Sequence, residues 1–121
     1  MSIDLNGIQR IIQETVPGKQ ISLAHIIAGP EPIVYKKLGL DPALDYAKAA
    51  IGIMTITPAE TAIIAGDLAI KSAGIDLGFI NRFSGTLIIT GTVSQVEAAF
   101  QSIGDYVKES LGFAVCDITR T

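Results

Sequence analysis

From residue 51 the chain alternates between two kinds of hydrophobic pattern. Residues 51–57, IGIMTIT, are apolar and rich in β-branched side chains, and read as a strand. The run ends at Thr57-Pro58-Ala59-Glu60, where Thr57 is placed to cap a helix, Pro58 to take its first position and Glu60 to close a capping box. The helix predicted from this signal covers residues 58–73, carries Ile63, Ile64, Leu68 and Ile70, and stops at Gly74 with Lys71 in its last turn. Two β-branched runs follow, IDLGFINRF and TLIITGTV, separated by Ser84-Gly85, the turn chemistry of a hairpin. Ser94-Gln95-Val96-Glu97 then reads as a second capping box. Behind it Val96, Ala99, Phe100, Ile103, Val107 and Leu111 recur at helical spacing up to Gly112, and a last strand, FAVCDIT, is expected from residue 113.

Strand, helix, strand, strand, helix, strand is the ferredoxin-like split β-α-β order. The fold class is therefore α+β, an antiparallel sheet with both helices on one face. That unit leaves its other sheet face bare, although IGIMTIT and TLIITGT are apolar on both faces, where a one-sided sheet would alternate. Ahead of it, Arg10 to Pro30 reads as two strands joined by the Pro17-Gly18 turn. EPIVYKKLG, with Pro32 near its start and Gly39 at its end, and DPALDYAKA read as two short helices. The segment near residue 21 and the last strand claim the same sheet edge, and the sequence leaves their placement open. No low-complexity segment, charge run or internal repeat interrupts the chain.

A length of 121 residues suits one domain with one core. Apolar residues make up 49% and charged residues 17%, against about 25% charged in ordinary soluble domains, so some apolar surface is expected to meet other copies. A membrane-spanning helix does not explain this balance. The longest uncharged runs, Ala49 to Ala59 and Phe83 to Val96, fall short of the ~18 apolar residues such a helix needs. The opening MSIDLNGIQR has no basic-then-apolar leader, and the expected compartment is the cytoplasm. With a net charge of -3 and scattered Lys and Arg, no nucleic-acid footprint is expected.

The one cysteine, Cys116, makes neither an internal disulfide nor a Cys-rich metal site, so no metal and no cofactor are expected. It alternates with Ala114 and Ile118 as a small buried hydrophobe would. The one histidine, His25, stands in SLAHIIA without a nucleophile or carboxylate partner and reads as a packed sheet residue. With no acid-base pair, phosphate loop or nucleophile motif, the expectation is a protein that is not an enzyme.

Ala50 to Phe100 resembles the core of bacterial microcompartment shell proteins: the opening strand, the helix ending in Lys-Ser-Ala, the hairpin, and the Gly-x-Val-x-x-Val-Glu entry to the second helix. Ile21 to Gly39 resembles the strand and helix that ordinary members carry at their C-terminus, which implies circular permutation. With RIIQETVPGKQ ahead of it, the chain from Arg10 to Arg120 is similar to a permuted subgroup typified by the U-type protein of propanediol-utilising compartments and the S-type protein of ethanolamine-utilising ones. The resemblance implies a flat homohexamer whose six leading strands form a small parallel β-barrel on the axis. It divides the chain into a barrel strand and turn, residues 1–18, and a permuted shell domain, residues 19–121. Closure into a barrel would also remove the aggregation liability of a lone edge strand.

The same resemblance assigns residues. The leading strand has Gln9, Ile11 and Gln13 on one face and Ile8, Arg10, Ile12 and Glu14 on the other. Six inward copies of Arg10 would crowd like charges into a narrow lumen, so Gln9, Ile11 and Gln13 are expected to point in. A loosely held arm is the plainer alternative. The hairpin tip Arg82, Phe83, Ser84, Gly85 matches the pore-lining loop of ordinary hexamers, where a ring of backbone N–H groups and Ser84 hydroxyls would face small polar or anionic metabolites. Taken alone it is a surface hairpin. Lys71 matches the lysine at the hexamer edge, and taken alone it is a cation near a helix C-terminus. HIIAGPEP lacks the basic residue ordinary members carry there, so edge contacts are expected to be weaker or different.

The implied function is a structural tile of a microcompartment shell, with other shell proteins and encapsulated enzymes as partners and a role in metabolite passage or cargo attachment. The pathway inside is not encoded here. The alternative, from another class, is a ferredoxin-like small-molecule-binding regulatory module, since that fold hosts many functions. A dimer with a ligand-sensitive melting temperature would favour the module, and a particle of about six chains the tile.

Overall fold

The strand that follows the Pro-Gly turn, β1 (Gln20–Ala28), occupies the interior of the sheet. The computed structural model describes residues 18–40, 50–72 and 74–121; the leading strand and the DPALDYAKA segment lie outside the described residues. After β1 come α1 (Pro32–Lys37), β2 (Ala50–Thr57), α2 (Thr61–Ser72), β3 (Asp76–Asn81), β4 (Thr86–Gly91), α3 (Val93–Leu111), β5 (Ala114–Val115) and β6 (Thr119–Arg120). The sheet order is β3-β4-β2-β1-β5, with β6 also on β1.

Neighbours from β3 to β1 run antiparallel, whereas β5 and β6 pair with β1 in parallel. The sheet is thus mixed, a correction to the antiparallel sheet expected from the element order. The competition for one edge resolves by length. The run QISLAHIIA pairs with β2 from Gln20↔Thr57 to Ala28↔Ala50, while the C-terminal stretch offers two pieces of two residues each, which add outside it.

Parity along β1 changes at Ser22. Ile21 faces Ile56 and Leu23 faces Thr55, leaving Ser22 as the extra residue of a bulge. Its effect is that Ile21, Ala24 and Ile26 all reach the helix-side core while Leu23 stays exposed.

α3 buries the predicted stripe, Val96, Ala99, Phe100, Ile103 and Val107, against the sheet, each large side chain contributing roughly 1.5–3 kcal/mol on burial. It can lie this close because β2 carries Gly52, where a β-carbon would stand 2.5 Å from Val96 Cγ1 and 2.8 Å from Phe100 Cζ. The helix begins earlier than expected. Thr92, not Ser94, is the N-cap: its hydroxyl accepts from Gln95 N at 3.1 Å, and the Gln95 carboxamide oxygen accepts from Thr92 N at 3.0 Å. At the other end Gly112 takes the left-handed conformation, φ 74°, and closes the helix as expected.

α2 starts at Thr61, three residues later than predicted. Residues 58–60 form a turn in which Thr61 N donates to Pro58 O at 3.0 Å and Ala62 N to Ala59 O at 3.1 Å, so Thr57 ends β2 and caps nothing. The bare face of the sheet is covered by α1 and the turn after it. Tyr35 and Leu40 pack on Ile51 and Ile88, with Ile27, Val34, Leu38 and Ile53 around them. This second cluster explains why β2 and β4 are apolar on both faces.

Candidate functional site

Three surface features concentrate the unusual chemistry of the described residues. The first is the tip of the β3–β4 hairpin, a four-residue turn over residues 82–85 rather than the two-residue turn expected. Asn81 organises it: its side-chain oxygen accepts from Phe83 N at 2.9 Å and Ser84 N at 3.1 Å, and its backbone oxygen accepts from Gly85 N at 2.8 Å. Ser84 Oγ donates to Thr86 Oγ1 at 3.0 Å. Three successive N–H groups are therefore satisfied inside the turn, which removes the ring of backbone donors expected from the sequence. What the tip presents instead is Phe83, 81% exposed, with the Arg82 guanidinium carbon 4.9 Å from its ring centroid. A depression of about 420 Å³ lies beside it, lined by Phe79, Ile80, Asn81, Arg82 and Phe83. Sequence reasoning missed Asn81 as the organising residue, although an Asn opening a tight turn is a recognisable Asx signal.

The second feature is α2. Its buried residues are Thr61, Ala62, Ala65, Gly66 and Ala69, and the isoleucines that looked like core face outward: Ile63 is 50%, Ile64 44% and Ile70 52% exposed. Small residues face inward because β3 approaches closely, and a β-carbon on Gly66 would stand 2.7 Å from Ile80 Cδ1. Lys71 lies in the last turn of this helix, with Nζ 2.8 Å from Asp67 Oδ2 in an exposed i,i+4 pair. The hydrogen bond and charge of Asp67 hold the Lys71 ammonium above its ordinary range. β3, the neighbouring strand, is a sheet edge carrying the part-exposed side chains Leu77 and Phe79.

The third feature is a groove of about 610 Å³ between α3 and the C-terminal stretch, with Ile21, Met54 and Phe100 among its lining and Glu97, Asp105 and Lys108 contributed by α3. Cys116 lines it half-buried, and burial pushes its thiol up, with the Asp117 carboxylate adding to the shift. His25 stands on β1 against the same stretch: Nδ1 is 2.6 Å from Thr119 Oγ1 and Nε2 is 3.0 Å from Thr121 Oγ1. Both ring nitrogens thus meet hydroxyls, which donate or accept as the tautomer requires. This interstrand role was not legible in the sequence, because residues 25 and 119 meet only through the parallel pairing.

The predicted site residues fall on separate elements: Arg82, Phe83, Ser84 and Gly85 at the hairpin tip and Lys71 at the end of α2, while Gln9, Ile11 and Gln13 lie outside the described residues. Among the described residues no group of three His, Cys, Asp or Glu is placed to hold a metal ion, and no helix is long and apolar enough to cross a membrane.

The BMC domain family matches residues 50–119. The chain is 48% identical over 118 residues to the bacterial microcompartment shell protein CutR of Streptococcus intermedius, covering 98% of this chain and 97% of that one. It is 50% identical over 112 residues to the shell protein PduU of Salmonella typhimurium, covering 93% of each. It is also 50% identical over 113 residues to EutS of the same organism, covering 93% and 97%. Among solved structures, a CutR flat hexamer matches with TM-score 0.79 at 45% identity, over 88% of this chain and 94% of that one. A CutR screw matches at 0.78 and 45%, over 87% and 100%, and a CutR dimer with domain swap at 0.62 and 44%, over 86% and 100%. The chain belongs to the BMC-domain family, the bacterial microcompartment shell proteins.

Proposed function

We propose that this chain is a homohexameric tile of a microcompartment shell, acting through assembly and not through catalysis. The observation that carries this reading is the outward face of α2. A chain that works alone gains nothing from holding three isoleucines in water while alanines fill its core; a chain that assembles buries them between copies. The flat hexamer described for CutR supports six as the number.

Circular permutation accounts for the topology. The family match begins at residue 50, yet β1, which lies outside it, fills the place beside β2 that the last strand of a split β-α-β unit would take. β1 and α1 are then the family's closing strand and helix, moved to the front. Six copies of the preceding strand would line an axial barrel with Gln9, Ile11 and Gln13 inward. Arg82, Phe83, Ser84 and Gly85 would sit near the pore beneath it, with Arg82 supplying the polar character that the closed-off turn amides do not. Lys71, exposed and steadied by Asp67, would face neighbouring tiles at the edge. Other shell proteins are the lateral partners in this reading, and encapsulated enzymes the cargo side. The screws and the domain-swapped dimer known for CutR suggest that this chain, too, has more than one way to pair with its copies.

Imaging of the full chain and of a variant lacking residues 1–16 tests the reading. The full chain should give six-membered rings with axial density, and the deletion the same rings with an open centre. Absence of rings from the full chain, or their loss on deletion, contradicts it.

A further inference from the structure

We infer that residues 113–121 form an exchangeable strap, able to leave β1 of its own chain and dock on β1 of a second copy, with His25 as the latch. This rests on the proposed multiplicity of assembly and names the element that serves it.

The strap begins at a pivot. Gly112, left-handed at φ 74°, ends α3 and turns the chain out of the helix. Beyond buried Phe113, the strap's backbone contacts are with β1 and with Lys19 immediately before it. Ala114 N donates to Lys19 O at 3.1 Å, Cys116 N to Ile21 O at 3.2 Å and Thr121 N to Ile26 O at 3.0 Å, while Ala28 N donates to Thr121 O at 3.0 Å. The His25 ring adds its bonds to the Thr119 and Thr121 hydroxyls.

Behind the strap α3 gives partial backing: Val115 Cγ1 lies against Gly104, where a β-carbon would stand 3.3 Å from it, while the groove of about 610 Å³ opens beside them and Val115 stays partly exposed. The strap's backbone is therefore held along one seam, with Cys116 and Ile118 packed part-buried on the core behind it. A seam of this kind transfers whole: every one of these bonds can be remade on β1 of another copy, because its β1 presents the same row of donors and acceptors. Exchange in this geometry also remakes the packing of Cys116 and Ile118 on the second copy's core, and gives up only the contacts at the pivot. A vacated β1 edge is moreover a template that recruits a strand.

The latch makes a specific claim about rate. Because His25 bonds the threonines equally in the closed and the exchanged arrangement, removing it lowers the barrier to opening and leaves the final proportions unchanged. Loss of two net hydrogen bonds corresponds to roughly tenfold faster opening.

Gln20 and Ala114 are Cα partners in the parallel pair and both are exposed. In a Cys116→Ser background, the double variant Gln20→Cys, Ala114→Cys should close a disulfide within one chain under oxidising conditions, showing that the positions are competent. The two single variants, purified apart and then mixed, should give covalent dimers several-fold in excess of those from Ser22→Cys mixed with Ala114→Cys, which are out of register. Adding His25→Ala, or the milder Thr121→Val, should speed the appearance of in-register dimers, by about tenfold and less respectively, without changing the final yield. The inference is overturned if the mixed single variants stay uncrosslinked while the double variant closes. Equal yields in and out of register, or an unchanged rate in both latch variants, also overturn it. Native mass spectrometry of the same samples counts chains independently: rings without exchange leave the tile standing and reject the strap, and exchange without rings does the reverse.

Discussion

Gly85 is locked beneath the end of β2: Ile56 N donates to the Gly85 carbonyl at 2.9 Å, and a β-carbon on Gly85 would overlap the Ile56 carbonyl oxygen. Its φ of +76° also lies where side chains are disfavoured. The hairpin tip is thus fixed to β2, the strand that opens the segment matched by the family. Gly85→Ala is expected to destabilise the fold by about 2–4 kcal/mol, from overlap and backbone strain together, read as a lower urea midpoint. A midpoint within error of the parent would show that the tip floats free of β2.

The close approach of α3 to β2 predicts a paired effect. Gly52→Ala places a methyl against Val96 and Phe100 and should cost about 1–3 kcal/mol. Adding Val96→Ala, destabilising by itself, should recover part of that loss in a double-mutant cycle, because the two substitutions compete for one space. Simple additivity would mean the contact does not set the helix–sheet distance.

The outward isoleucines of α2 separate folding from assembly. Ile64→Lys or Ile70→Lys should change the stability of the isolated chain by no more than about 1 kcal/mol, since both side chains are about half exposed there. The same substitutions should reduce the population of assembled particles at least tenfold, measured by light scattering after size-exclusion chromatography. Normal assembly of both variants would remove this face from the interface.

Cys116 provides a pH test. Its thiol is raised by burial, so the neutral form is favoured by folding. The stability this adds is complete below the thiol's unfolded pKa and is lost as pH rises through the higher folded one. Near pH 8 the native thiol should therefore react with iodoacetamide several-fold more slowly than the urea-unfolded chain. Equal rates would place Cys116 in open solvent.

Much of the shell domain was legible because its signals are local. The α3 stripe from Val96 to Val107, the closing Gly112 and the two strands around residues 82–85 all follow from spacing and turn chemistry. The neighbouring capping templates were ambiguous: Ser94 with Glu97 and Thr92 with Gln95 both satisfy the pattern, and the end of β4 at Gly91 places the cap at Thr92. The inner face of α2 was hidden because alanine and glycine carry little periodic signal, while Ile63, Ile64 and Ile70 mimic a core stripe. The order β2-β1-β5 was hidden for a different reason. It depends on a nonlocal contest between two strands for one edge, settled by ladder length.

The central claim is that six copies of this chain surround one axis. Native mass spectrometry of the purified full chain at micromolar concentration measures this directly. A dominant species of six chains is expected, and a single chain that persists as the concentration is raised would rule the ring out.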